Sequence, residues 1–157
     1  MNESGFNNFG LREELLLALE KKGFSIPTPV QEKTLSLDNF QTDLIVRART
    51  GSGKTLAFLL PLLQDIELPL SKPAILILSP TRELAQQIAK EAEWISRYMD
   101  LSVATLVGGL DMSAQIRSLK EGAAIVVGTP GRTLDHINRG TLAAEDISSV
   151  VLDEGDH

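Results

Sequence analysis

Cysteine is absent from the 157 residues, so disulfides and Cys-based zinc sites are excluded and a reducing compartment is permitted. Aromatic residues are scarce. Five Phe, one Trp and one Tyr are too few rings for a base-stacking platform of the RRM or OB type. No apolar run approaches the length of a membrane span, and the opening MNESGFNNFG lacks the basic-then-apolar build of a signal peptide, so a cytoplasmic protein without a membrane partner is expected. An excess of positive charge is missing too. The formal net charge of -6 argues against a broad basic face for nucleic acid. It leaves room for local phosphate sites built from a few arginines and backbone N–H groups. The two histidines, His136 and His157, have no ligand-like spacing, and His136 is expected along a helix surface.

What is present is an ordinary globular composition, 43% hydrophobic and 23% charged, in a chain long enough for one domain with a core. There is no internal repeat, low-complexity segment or long linker. Short apolar, β-rich runs occur at 43–48 (DLIVRA), 74–79 (AILILS), 102–107 (SVATLV), 124–129 (AIVVGT) and 149–153 (SVVLD). Each is bounded by turn-forming or polar residues, as strands buried on both faces are. Helix-period segments lie between them. Leu84, Ile88, Ile95 and Met99 share one face of TRELAQQIAKEAEWISRYM, with Trp94 on its flank. LREELLLALEKKG starts with acids, ends with lysines and closes on Gly23. Pro61 is expected to kink or interrupt the helix containing LAFLLPLLQDI. Strands alternating with helices imply βαβ units, an α/β fold with a parallel sheet flanked by helices. Ligands of such sheets bind beyond the carboxyl ends of the strands. The five runs end in ARTGSGKT, SPTREL, VGG, GTPGR and an acidic stretch.

ARTGSGKT, Ala48 to Thr55, follows a strand-like run and opens a helical one, the context of a phosphate-binding loop. Gly51 and Gly53 let the backbone curl so that successive N–H groups face phosphate oxygens. Lys54 can reach the β- and γ-phosphates and the Thr55 hydroxyl can ligate Mg²⁺. Ala48 stands where the strict G-x-x-x-x-G-K-[ST] pattern has its first glycine, and an ordinary Gly/Ser turn is the plainer alternative. Such a loop needs a carboxylate at another strand end. VVLDEGD offers Asp153 for Mg²⁺, with Glu154 beside it to orient and deprotonate an attacking water. Taken by itself that stretch reads as a solvated acidic tail. The two stretches together point to nucleoside triphosphate hydrolysis.

From Phe6 onward the chain resembles the first RecA-like domain of a DEAD-box ATP-dependent RNA helicase, with motifs in the family's order. GFSIPTPVQ (23–31), with Phe6 upstream, is similar to the adenine-reading Q motif, and 6–31 would form that region. The resemblance implies that Gln31 hydrogen-bonds the adenine edge, Phe24 stacks on the base and Thr28 supports the loop. ATP would then be held by these three with Arg49, Thr50, Gly51, Ser52, Gly53, Lys54 and Thr55. Alone, PTPVQ reads as a rigid loop before a helix. By the same resemblance RNA would be held at Pro80, Thr81 and Arg82, at Gly108 and Gly109, and at Thr129, Pro130, Gly131 and Arg132. Helix starts that each carry an arginine can hold successive backbone phosphates with little base reading. Singly these stretches read as a capped helix start and two turns.

Two departures from the family pattern stand out. Gly155 replaces the alanine of Asp-Glu-Ala-Asp, with a modest penalty expected and no change of chemistry, and Asp156 is implied to couple hydrolysis to RNA. The chain also stops before the family's Ser-Ala-Thr element and its second RecA-like domain, which supplies arginine fingers. Residues 1–157 are therefore expected to be a first RecA-like domain, incomplete at the C-terminus, with a gap where the next strand would insert between the phosphate-loop and carboxylate strands. The expected function is RNA-dependent ATP hydrolysis that drives local duplex unwinding in a full-length protein. The alternatives are a catalytically silent nucleotide- or RNA-binding fragment and an unrelated P-loop ATPase or small-molecule kinase.

Overall fold

A computed structural model describes residues 5–37, 43–49 and 51–153. Two compact units, Met1–Ile66 and Glu67–His157, are taken in turn.

The first unit is helical among its described residues. Helix α1 (Glu13–Lys22) carries acids in its first turn and lysines in its last, and it ends on Gly23 in the left-handed region, as the sequence anticipates. Helix α2 (Pro29–Leu35) starts on a Thr28 cap with proline in its first turn. Helix α3 (Lys54–Gln64) follows the glycine loop. It buries Leu56, Ala57, Leu59, Leu60 and Leu63, while α1 buries Leu15, Ala18 and Leu19. Arg12 anchors the carboxyl end of α3. Its backbone N–H donates to Gln64 Oε1 at 2.7 Å, and its Nη1 donates to the carbonyls of Leu63 and Ile66 at 3.2 Å each. A cation there satisfies carbonyls that the helix leaves open.

Helix α3 is not interrupted at Pro61, which is buried and falls in its last turn. One expectation fails in this unit. Residues 43–48, expected as a strand, form none among the described residues. Leu44, Ile45 and Val46 are 40%, 91% and 38% exposed. An apolar β-branched run becomes a strand only when a neighbour completes its ladder, and none of the described residues does so here.

The second unit holds a four-stranded parallel sheet: β1 (Ile75–Leu78), β2 (Val103–Leu106), β3 (Ile125–Gly128) and β4 (Ser149–Leu152), in spatial order β2-β3-β1-β4. All four lie within the runs anticipated as strands. The central β3 is buried at every position, which explains its unbroken apolar sequence. On one face Leu76, Ala104, Leu106 and Val126 pack with Leu119, Ala123 and Leu142. Helix α4 (Arg82–Ser96) buries Ile88 and Ile95, and Met99 is buried in the 3-10 turn that follows, with Leu84 half-buried. Half-buried Trp94 donates its indole N–H to Glu91 Oε2 at 3.3 Å, in keeping with a flanking place. Helix α5 is Met112–Lys120 and helix α6 is Pro130–Arg139.

The register sets the functional rim. Leu78 pairs with Gly128 and with Leu152, and Gly128 pairs with Leu106, so the four strands end level. The ladder runs one residue further: Ser79 N–H donates to Gly128 O, Thr129 N–H to Leu106 O, and Asp153 N–H to Leu78 O at 2.8 Å.

Candidate functional site

In the first unit the stretch PTPVQ is a capping box. Thr28 Oγ1 accepts from the Gln31 backbone N–H, and Gln31 Oε1 accepts from the Thr28 N–H at 3.0 Å. The T-x-x-Q spacing is a sequence signal of this device that the motif reading passed over. The cap leaves the Gln31 amide nitrogen aimed at the glycine loop, where Nε2 donates to Gly53 O at 3.0 Å. Two stretches separated in sequence are thus joined by one buried side chain. The Gln31 amide retains a second N–H and a second lone pair, a donor and acceptor of the kind an adenine edge requires. Phe24 is 42% exposed. Gly53, in the left-handed region at φ 85°, caps α3, so the next residues, Lys54 and Thr55, form the first turn and present their N–H groups. The Ser52 hydroxyl is buried without a hydrogen-bond partner among the described residues. Arg49 and Gly51 are exposed, and Thr50 lies outside the described residues.

In the second unit, the level strand ends bring four stretches to one rim: Ser79-Pro80 after β1, Val107-Gly108 after β2, Thr129 after β3 and Asp153 after β4. Thr81 caps α4, accepting from the Leu84 N–H at 3.2 Å. Thr129 caps α6 through its backbone, with Pro130 as the first helical residue. Pro80, Thr81, Arg82, Gly108, Gly109, Pro130 and Gly131 are exposed, and Thr129 and Arg132 are half-buried. The two arginines meet at the turn after β2. Arg82 lies so close to Gly109, at φ 82°, that a Cβ there would stand 2.6 Å from Nη1. From the other helix, Arg132 Nη1 donates to Leu110 O at 3.2 Å. Asp153 is half-buried at the end of β4; Glu154 and Asp156 lie outside the described residues.

His136 departs from the surface position expected of it: its ring is fully buried. It lies one turn past Thr133 on the inner face of α6, with both nitrogens in hydrogen-bond range, Nε2 2.9 Å from Gln115 Oε1 and Nδ1 2.8 Å from Thr141 Oγ1. Gln115 was not singled out from sequence at all. Its position four residues before buried Leu119 on α5 was the available signal. Burial lowers the His136 pKa below its ordinary 6.5, and the Arg132 charge adds to this, with Asp135 opposing and Arg139 assisting. The unfolded chain therefore takes up the proton first as pH falls. The contribution to stability is complete above pH 6.5 and declines as pH falls from there through the folded-state pKa. A melting series from pH 7.5 to 5.5 should fall more steeply for the wild type than for His136→Asn, by at most about 1.4 kcal/mol per pH unit. Parallel curves would remove His136 as the cause.

A family model described as DEAD/DEAH box helicase matches residues 28–157. The chain belongs to that family. Among DEAD-box relatives it is 47% identical over 151 residues to the ATP-dependent RNA helicase CshA of Listeria monocytogenes, covering 96% of this chain and 29% of that protein. It is 45% identical over 155 residues to the ATP-dependent RNA helicase DeaD of Escherichia coli, covering 98% of this chain and 25% of that protein. The chain thus spans about a quarter to a third of the length of such DEAD-box relatives. The crystal structure of a DEAD box protein from the hyperthermophile Methanococcus jannaschii matches with a TM-score of 0.87 at 42% identity, over 97% of this chain and 42% of that one. The parallel sheet with its flanking helices is RecA-like. Among the described residues no helix is long and apolar enough to cross a membrane.

Proposed function

We propose that this chain is the first RecA-like domain of an ATP-dependent RNA helicase, with 6–31 as its Q-motif region, binding ATP·Mg²⁺ and the backbone of single-stranded RNA. The observation that carries this is the hydrogen bond from Gln31 Nε2 to Gly53 O, which ties an adenine-reading motif to a phosphate-reading loop. Lys54 and the N–H groups of the first α3 turn supply positive potential for the β- and γ-phosphates. The unpartnered Ser52 hydroxyl is a further donor. Thr55 and Asp153 offer hard oxygen donors of the kind Mg²⁺ takes; when bound, the ion neutralises charge on the phosphates. Glu154 is assigned to orienting water and Asp156 to coupling with RNA. For RNA, the convergence of Arg82 and Arg132 on the Gly108–Leu110 turn favours phosphate binding without base reading, compatible with an acidic chain that has few aromatics. In the full-length protein, hydrolysis would drive local duplex unwinding.

A second reading, nucleotide and RNA binding without turnover, draws on the absence of a strand at 43–48 and on the outer strand β4, where Val150 and Leu152 are 58% and 71% exposed. One experiment separates the two. ATP·Mg²⁺ should raise the melting temperature of this chain, and Lys54→Ala should abolish the rise, corresponding to loss of about 2.7 kcal/mol at ligand a hundredfold above Kd. RNA-stimulated release of phosphate from ATP then favours the enzyme; binding with no turnover favours the second reading. Indifference of the melt to ATP would sink both.

A further inference from the structure

We propose that Gln115 and His136 are positioning residues that hold the Arg132 guanidinium in its aim at RNA phosphate. The inference rests on Arg132 being an RNA contact. Gln115 is buried at 5% exposure, and each end of its amide is used. Nε2 donates to Val107 O at 2.9 Å, at the start of the turn after β2. Oε1 accepts from Arg132 Nη1 at 3.2 Å and faces His136 Nε2 at 2.9 Å. The amide has no freedom to flip, because a reversed group would set oxygen against the Val107 carbonyl and nitrogen against a guanidinium that only donates. The His136 proton assignment follows: Nε2 carries hydrogen and donates to Gln115. In the neutral ring Nδ1 is then an acceptor, and the single Thr141 hydroxyl hydrogen is shared between Nδ1 and His136 O, 2.8 Å and 3.0 Å away.

The consequence falls on Arg132. Its Nη1 spends both hydrogens inward, one on Leu110 O and one on Gln115 Oε1. Its Nε and Nη2 make no hydrogen bond among the described residues, which leaves a planar edge of donors for a phosphate oxygen pair. A guanidinium fixed at one nitrogen by two acceptors loses rotamer freedom before the ligand arrives, and pre-organisation of this kind improves binding by removing an ordering cost. Gln115 also joins Arg132 on α6 to Val107 at the base of the Gly-Gly turn, so two of the proposed RNA-contacting stretches keep one geometry through a single side chain.

The test is a double-mutant cycle read by fluorescence anisotropy of this chain with a labelled single-stranded oligouridylate, across a salt series. Arg132→Ala should weaken binding and reduce the slope of log affinity against log salt by about one. Gln115→Leu keeps the arginine but removes its anchor. It should weaken binding roughly three- to tenfold in the wild-type background and have little effect in the Arg132→Ala background. Equal losses in both backgrounds would overturn the positioning role while leaving Arg132 as an RNA contact. An Arg132→Ala variant with unchanged affinity and slope would overturn the RNA contact itself, and the inference with it. Should Gln115→Leu fail to fold, the cycle is run with His136→Phe, which leaves Gln115 in place with one anchor fewer and should show the same non-additivity.

Discussion

Gly53→Ala should abolish the rise in melting temperature caused by ATP·Mg²⁺ and destabilise the first unit by about 3 kcal/mol. Two causes act together. Gly53 sits at φ 85°, where a Cβ is strained against its own backbone, a cost of about 1–2 kcal/mol. The added carbon would also collide with Gln31 Nε2 and stand 2.9 Å from Thr28 Oγ1. A flexible glutamine can ordinarily step aside cheaply. Here the amide that must move donates to Gly53 O and accepts from the Thr28 N–H, so moving it breaks the tie between loop and Q-motif stretch and weakens the α2 cap, each bond worth about 1 kcal/mol. Gly51→Ala is the internal control. Gly51 has a similar φ of 80° but open space around its absent Cβ, so it bears the backbone cost alone. Denaturant titration with and without ATP·Mg²⁺ compares the two variants. If Gly51→Ala and Gly53→Ala lose equal stability and equal ATP response, the Gln31 contact has no energetic weight.

The other large effect is expected at Gly128, at the carboxyl end of the central strand β3. A Cβ there would press on Thr133 Oγ1 and lie 2.7 Å from Leu106 O and 3.1 Å from Leu106 Cβ. Unlike the neighbours of Gly53, Leu106 O is backbone of the adjacent strand and already accepts the Thr129 N–H at 3.0 Å, so it cannot retreat without opening the β2–β3 ladder. Gly128→Ala should cost about 3 kcal/mol, the upper end of the usual overpacking range and a large part of a typical domain's stability. Gly131→Ala, with open space at its Cβ and a helical position in α6, should be neutral or stabilising by up to about 1 kcal/mol. Guanidinium denaturation of both variants decides the matter. A Gly128→Ala curve superimposed on the wild type would show that the strands can part locally at no cost.

The position of Gly128 at the end of β3 shows why so much of the rim is readable in one dimension. Motifs at strand ends need no knowledge of the sheet: a buried strand followed by Gly, Pro or a helix cap places its polar chemistry on the rim whatever its neighbours are. The four strands within 74–79, 102–107, 124–129 and 149–153, the parallel α/β class, the end of α1 at Gly23 and the family were all legible in the residues themselves. Apolar runs, helix periods and caps are local properties that act on a few consecutive residues.

What needed the tertiary structure is what depends on partners far along the chain. The run at 43–48 has the composition of a strand, but pairing is a property of two segments and composition describes one. His136 looked like a surface residue because nothing near it in sequence could satisfy both ring nitrogens. Folding brings Gln115 from α5 to one nitrogen while the chain past α6 returns Thr141 to the other, and a ring with both bonds made can be buried. Gln31 offers an amide to any ligand on paper; the fold gives it a capping box and a loop carbonyl first. The sequence by itself determined which chemistry this chain carries, because that depends on residue type and local spacing. Only the tertiary structure decided which side chains hold that chemistry in place, because hydrogen bonds between distant segments exist only once the backbone has closed around them.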